Sequence, residues 1–284
     1  MGLRFSFQLT ILIFLLLSQA AAQGYVVILP DEVKNPFQAR YQRISEELRK
    51  PASNVWAGSY YRDPGETWDE ELVWEPTTGF AAYRETCSNG PRAWVNYGSA
   101  TYRDGVLTLS SERNDTAEFL LKFSENELTP ISWGKQHWLV PTKDLALFAY
   151  AINARSGEEY SIGYLKFADR EKSRPRRPAL PAKYLRLLGI PPIKASVVEI
   201  GKGATKWYPS MTISAGKDKG VIEGMSFWLV GRKGIGAEVI VTEVHDRTSI
   251  VQITGIESGD AEDDTIPTLR WRFTSRMPST FFRY

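Results

Sequence analysis

From Asn54 to Arg113 the chain runs in short stretches of alternating apolar and polar residues, NVWAGSYYR, ELVWEP, AAYRE, AWVNYGSATY and VLTLSSER, separated by DPGE, TTGF, SNGP and RDG. Alternation with a period of two marks strands half-buried on one face, and turn signals at this density predict an antiparallel meander. Asp104-Gly105 is the clearest hairpin signal, because both residues tolerate the positive φ of a tight turn between right-twisted strands. Further strands are predicted over 118–123, 128–133, 136–140 and 163–167. Two segments instead carry helical spacing. Phe37, Tyr41, Ile44 and Leu48 predict a short helix over 37–49 lying on a sheet. Leu145, Phe148, Ala149 and Ile152 predict a second over 144–153, docked on the meander.

After a proline-rich, basic stretch the alternation resumes as ASVVEI, KWYPSMTIS, MSFWLV, AEVIVTEV, SIVQITGI and TLRWRFTS. Six strands in about 90 residues predict a small barrel or sandwich. The expected fold is therefore mainly β: an antiparallel meander or barrel with two short helices, followed by a small six-stranded β-barrel or sandwich. The expected boundaries are a signal peptide over 1–22, the meander domain over 23–170, a linker or strap over 171–192 and the small barrel over 193–284.

Composition bears on compartment. The opening MGLRFSFQLTILIFLLLSQAAAQG has Arg4, an apolar run and then Ala20-Ala21-Ala22, the pattern of a secretory signal peptide. Its apolar core is shorter than the ~20 residues that span a bilayer, so cleavage before Gln23 is expected, with no transmembrane segment afterwards. A mature chain would carry 34 basic and 33 acidic residues. That balance offers no global attraction to nucleic acid. Cys87 is the sole cysteine, so the core must hold the fold without an internal disulfide.

Several stretches have chemical potential. GKDKGVIEGM, from Gly216 to Met225, resembles a phosphate cradle in composition, but a Walker loop needs G-x-x-x-x-G-K-[ST] between a strand and a helix. Here a strand-like MSFWLV follows, so two turns are expected and no nucleotide cofactor. The two histidines, His137 and His245, sit in no spaced ligand motif. No metal is expected. His137 reads as a strand residue whose ring is satisfied locally, and no G-x-S-x-G elbow exists.

GETWDEELVWEP mixes Glu66, Asp69, Glu70, Glu71 and Glu75 with Trp68 and Trp74. Glycosidases need two carboxylates about 5 to 10 Å apart beside aromatic rings. Strand alternation, however, puts Glu71, Val73 and Glu75 on one face and Leu72 and Trp74 on the other, the pattern of a half-buried edge strand. A core role is expected for Trp94, Trp133, Trp138 and Trp228. Eight basic and two acidic residues fall between Lys166 and Arg186, while 257–264 holds five acids and no base. The basic stretch, with Arg174, Arg176 and Arg177, reads as a solvated strap or as a grip on a phosphate-rich partner. The acidic stretch lacks the spacing of a calcium loop, and Asn114 heads a glycosylation sequon.

DKGVIEGMSFWLV and GAEVIVTEVHDRTSIVQI together resemble the small β-barrel domains of MreC-type cell-shape proteins and of periplasmic flagellar-assembly proteins, over Ser214 to Ile253. The likeness implies an interaction or scaffolding module. WAGSYY with its following hairpins resembles a lipocalin-type up-and-down barrel, and ISWGKQHWLVPTKDLALFAYAIN is similar to secreted bacterial proteins of unassigned function. The expected function is thus an exported, non-catalytic binding or scaffolding protein of the periplasm or envelope, with a protein, glycan or other envelope component as partner. Its ligand or partner surface is expected at Trp68, Trp74, Glu71, Glu75, Arg174, Arg176 and Arg177. The alternatives are a carbohydrate-active hydrolase using carboxylates in 66–75 and a lipocalin-like carrier of a small apolar ligand.

Overall fold

The computed structural model describes residues 29, 31–51, 54–63, 68–86, 92–112, 126–201, 209–231, 235–258 and 267–278. The predicted signal peptide, the predicted strand over 118–123, Cys87 and Asn114 lie outside these residues, as does most of the acidic stretch after Glu257.

The fold is mainly β and has two closed barrels. In chain order the elements of the first are helix α1 (Asp31–Glu47) and strands β1 (Gly58–Arg62), β2 (Trp68–Glu75), β3 (Gly79–Thr86), β4 (Arg92–Arg103), β5 (Val106–Ser111), β6 (Glu127–Trp133) and β7 (Gln136–Pro141). Helices α2 (Leu145–Ala154) and α3 (Glu159–Ile162) follow, then β8 (Tyr164–Lys166). These eight strands neighbour one another in sequence order, the up-and-down connection that the meander pattern predicts. After helix α4 (Ala182–Leu185) come β9 (Lys194–Ile200), β10 (Ser210–Ile213), β11 (Ser226–Val230), β12 (Ile235–Val244), β13 (Ser249–Ser258) and β14 (Arg272–Thr274), which close the second barrel in the order β10-β13-β12-β11-β14-β9. By contacts the chain divides into two compact units, 1–127 with 166–168, and 128–165 with 169–284.

In the first unit, strand register fixes what faces in. Tyr60 stands opposite Leu72, Leu72 opposite Ala82 and Trp74 opposite Phe80, so these side chains share one face with Leu107 and Leu109, and all are buried. The other face carries Val73, Ala81 and Tyr97, which Ile44 of α1 covers. Asp104 at φ 51° and Gly105 at φ 76° make the expected tight turn between β4 and β5. The helix begins at Asp31, earlier than its apolar spacing indicates: the acidic Asp31 and Glu32 suit the positive end of the helix dipole, and Pro36 falls inside the helix.

β2 corrects one expectation. It lies between β1 and β3 and is no edge strand. Its inward Glu70 is fully buried against Arg62 at 2.7 Å and Arg84 at 2.5 Å. Removing one partner of such a buried ion pair typically costs about 3–5 kcal/mol, because the remaining charge stays buried.

In the second unit the six-stranded barrel encloses Val197, Met211, Ile213, Phe227, Leu229, Val239, Val241, Val251, Trp271 and Phe273. Register shifts in β12, between Glu238 and Val239 and between Val241 and Glu243, supply the bends that a small barrel needs. Trp228 points out of this core and packs under Ala154 and Met277. GKDKGVIEGM forms a short 3-10 turn over Lys217–Lys219 and then a second turn, with Gly220 at φ 82° and Gly224 at φ 80°.

Those glycines provide a test of the turn reading. At Gly224 an added Cβ meets Leu147 Cδ1 at 2.9 Å, whereas at Gly231, φ 79°, it meets nothing. Both alanine substitutions incur the left-handed penalty of roughly 1 kcal/mol. Thermal melts are expected to show Gly224→Ala less stable than Gly231→Ala, since only the former also displaces a packed leucine.

Candidate functional site

Of the residues singled out in β2, Trp74 is fully buried inside the barrel, which corrects its assignment to a ligand surface. Glu75 is also buried: its Oε2 accepts from Thr77 N at 2.8 Å, Thr77 Oγ1 at 2.6 Å and Thr78 N at 3.0 Å. Burial pushes its pKa up, but these bonds prevail and hold it below the usual carboxylate range. Glu71 is half-buried and accepts from Ser59 Oγ at 2.8 Å and Tyr41 Oη at 3.1 Å. Burial first and Glu71 second raise the Tyr41 phenol well above its ordinary value. Trp68 opens β2, and its side chain lies outside the described residues. Each described carboxylate of this strand is therefore engaged in the fold. The expected core tryptophans Trp133, Trp138 and Trp228 are buried, while Trp94 is half-buried.

The basic stretch behaves differently. From Asp169 onward the chain forms a strap along the β6–β7 hairpin. Asp169 is its first anchor: Oδ2 lies 2.6 Å from His137 Nδ1 and accepts from His137 N at 2.9 Å, while Lys172 Nζ reaches Oδ1 at 2.5 Å. Burial raises the Asp169 pKa, but the Lys172 and His137 bonds outweigh it and leave a net depression. Gln136 Nε2 then donates to Lys172 O at 2.9 Å, Trp133 Nε1 to Pro175 O at 2.5 Å and Ala179 N to Ser132 O at 2.8 Å. His137 is thus satisfied locally, as its sequence position indicates.

These anchors turn the strap's arginines toward a cavity of about 540 Å³. Trp133 and Tyr160 form part of its wall, and Arg155, Arg174, Arg176, Arg177 and Arg276 line it together with a single carboxylate, Glu159. Arg174 is committed: its guanidinium sits 4.3 Å from the Trp133 ring centre and 5.4 Å from that of Tyr160, and Nη1 is 3.2 Å from Glu159 Oε1. None of the other four arginines is paired with a carboxylate among the described residues. Arg276 Nε is buried without a hydrogen-bond partner. Arg155 ends α2 in the left-handed region at φ 60°, where its N–H caps Ala151 O and Ile152 O. A non-glycine residue there costs on the order of 1 kcal/mol, and the helix C-terminus favours its positive charge. Sequence reading found Arg174, Arg176 and Arg177 but missed Arg155 and Arg276, which are remote in the chain and carry no motif.

The turn that carries Arg155 and Glu159 is tied to the second barrel through Glu158. Ser226 Oγ donates to Glu158 Oε1, and Ser156 Oγ lies 3.1 Å from Oε2. Burial, with a contribution from the neighbouring Glu238, pushes the Glu158 pKa up to about 7. No group of three His, Cys, Asp or Glu residues that could hold a metal occurs among the described residues.

Arg174→Ala is expected to lower stability, by roughly 1–3 kcal/mol, because it strips an aromatic-stacked cation and leaves buried Glu159 without its partner. Arg176→Ala and Arg177→Ala, at exposed positions without ion pairs among the described residues, are expected to melt within about 0.5 kcal/mol of the parent. For Glu158 the folded pKa exceeds the unfolded value, so its contribution to stability is complete below about pH 4.5 and is lost as pH rises through about 7. The unfolding free energy from denaturant titration is expected to fall between about pH 4.5 and 7, by on the order of 3 kcal/mol, and Glu158→Gln to flatten that slope.

The chain matches no protein-family model, no curated protein and no solved structure, so no relative's activity bears on it.

Proposed function

We propose that this chain is an exported, non-catalytic binding or scaffolding module of the cell envelope, and that its arginine-lined cavity takes a polyanionic envelope component. One observation carries the reading: among the described residues, four guanidinium groups without carboxylate partners border one concavity, and the one carboxylate in its lining, Glu159, is already held by Arg174. Guanidinium forks match phosphate and carboxylate oxygens bidentately. A cavity wall also lowers the local dielectric, so each contact there is stronger than at an open surface. The resemblance of Ser214 to Ile253 to envelope scaffolding barrels and the signal-like leader are in keeping with this role. The hydrolase reading has no comparable support, since Glu70, Glu71 and Glu75 are each engaged by the fold. The carrier reading loses support because Tyr60, Leu72, Trp74 and Phe80 point into the first barrel.

Calorimetric titration with short-chain polyphosphate, against neutral dextran as control, tests the reading. Binding is expected to be specific to the polyanion and to weaken steeply with salt. The Arg176→Ala/Arg177→Ala double variant is expected to bind about tenfold or more weakly at an unchanged melting temperature. Polyphosphate binding that ignores both substitutions, or none at low salt, would overturn it. Export is tested separately: N-terminal sequencing of secreted material is expected to begin at Gln23.

A further inference from the structure

A second concavity, of about 620 Å³, lies in the same unit between α2, α4 and the GKDKGVIEGM turns. Its character differs from that of the arginine cavity. Tyr150, Leu187, Ile190, Val221 and Ile222 supply mainly apolar walls, while Lys183, Arg186 and Lys217 are exposed around it and no acidic residue is part of the lining. None of these three cations has a carboxylate partner among the described residues. The floor is held in place. Tyr150 Oη donates to Gly220 O at 2.5 Å, which fastens the glycine turn to α2, and burial raises the Tyr150 pKa even though Arg186 opposes the shift. Tyr150 therefore stays a neutral donor at physiological pH, and its ring remains available as apolar wall.

We infer that this groove is a binding site for a single-chain anionic amphiphile, with the alkyl chain along Tyr150, Leu187 and Ile222 and a phosphate head between Lys183, Arg186 and Lys217. Charge complementarity selects this occupant. A purely apolar ligand leaves three cations without counter-charge, whereas a small phosphate leaves the apolar walls in water. The volume falls within the range of pockets that enclose small organic ligands, roughly 300–1,000 Å³. The glycine-lysine turns thus contribute to an anion site without being a nucleotide loop: Lys217 faces the head group, and Gly220 and Val221 form wall.

Titration of the full chain with octyl, decyl and dodecyl phosphate, below their micelle-forming concentrations, tests this site. Inorganic phosphate and dodecyl maltoside serve as head-only and chain-only probes. Affinity is expected to rise about two- to fourfold per added methylene, with both control probes at least about tenfold weaker than dodecyl phosphate. Lys183→Glu/Arg186→Glu, at exposed positions that preserve the fold, is expected to weaken dodecyl phosphate binding about tenfold or more. Arg176→Ala/Arg177→Ala is expected to leave it unchanged, which separates this groove from the arginine cavity. Affinity independent of chain length, equal binding of the maltoside, or indifference to the charge reversal would overturn the assignment.

Discussion

The surface presented by the second unit depends on Arg174 being tied down. Its guanidinium is stacked against Trp133 and Tyr160 and paired with Glu159, and the adjoining Pro175 carbonyl accepts from the Trp133 indole. A proline-rich segment cannot supply a regular ladder of N–H donors, so side chains must anchor it. The aromatic cluster of Trp133, Trp138, Phe148 and Tyr160 gives those anchors a rigid base. Arg176 and Arg177, further along the same strap, are exposed and form no ion pair among the described residues.

Closure of both sheets answers the absence of an internal disulfide. A barrel leaves no long unpaired edge and buries one face of every strand. In the second barrel the buried core is mainly aliphatic and aromatic, with Ser249 buried beside it and donating to Ala215 O at 2.7 Å. In the first unit it admits, among the described residues, the charged cluster of Glu70 with Arg62 and Arg84, which is supported because both guanidiniums reach the buried carboxylate. Such a cluster contributes register more than net stability: a one-residue slip of β2 would move Glu70 to the other face and leave two arginines inside.

The two concavities differ in character. One has abundant charge and little free apolar wall, since Trp133 is itself buried beneath Arg174. The other is mainly apolar with cations around it. The turn bearing Arg155 and Glu159 is fastened to β11 through the Glu158 carboxyl group and Ser226, and burial raises the pKa of that carboxyl.

Local pattern alone determined the described strands, both main helices, the Asp104-Gly105 turn and the six-strand count of the second barrel, because side-chain period and turn chemistry are short-range properties. The same pattern made Gly220 and Gly224 legible as turn residues. Tertiary structure alone decided the fate of the carboxylates in β2. Alternation showed which residues share a face, but not that Glu75 curls onto Thr77 and Thr78 or that Glu70 meets two arginines from neighbouring strands. It also decided the site. Arg155, Arg174 and Arg276 are more than a hundred residues apart at their extremes, and they line one cavity only because α2, the strap and the end of β14 pack within a single unit. Composition identified a basic segment; long-range packing determined which of its charges are neutralised and which stay available.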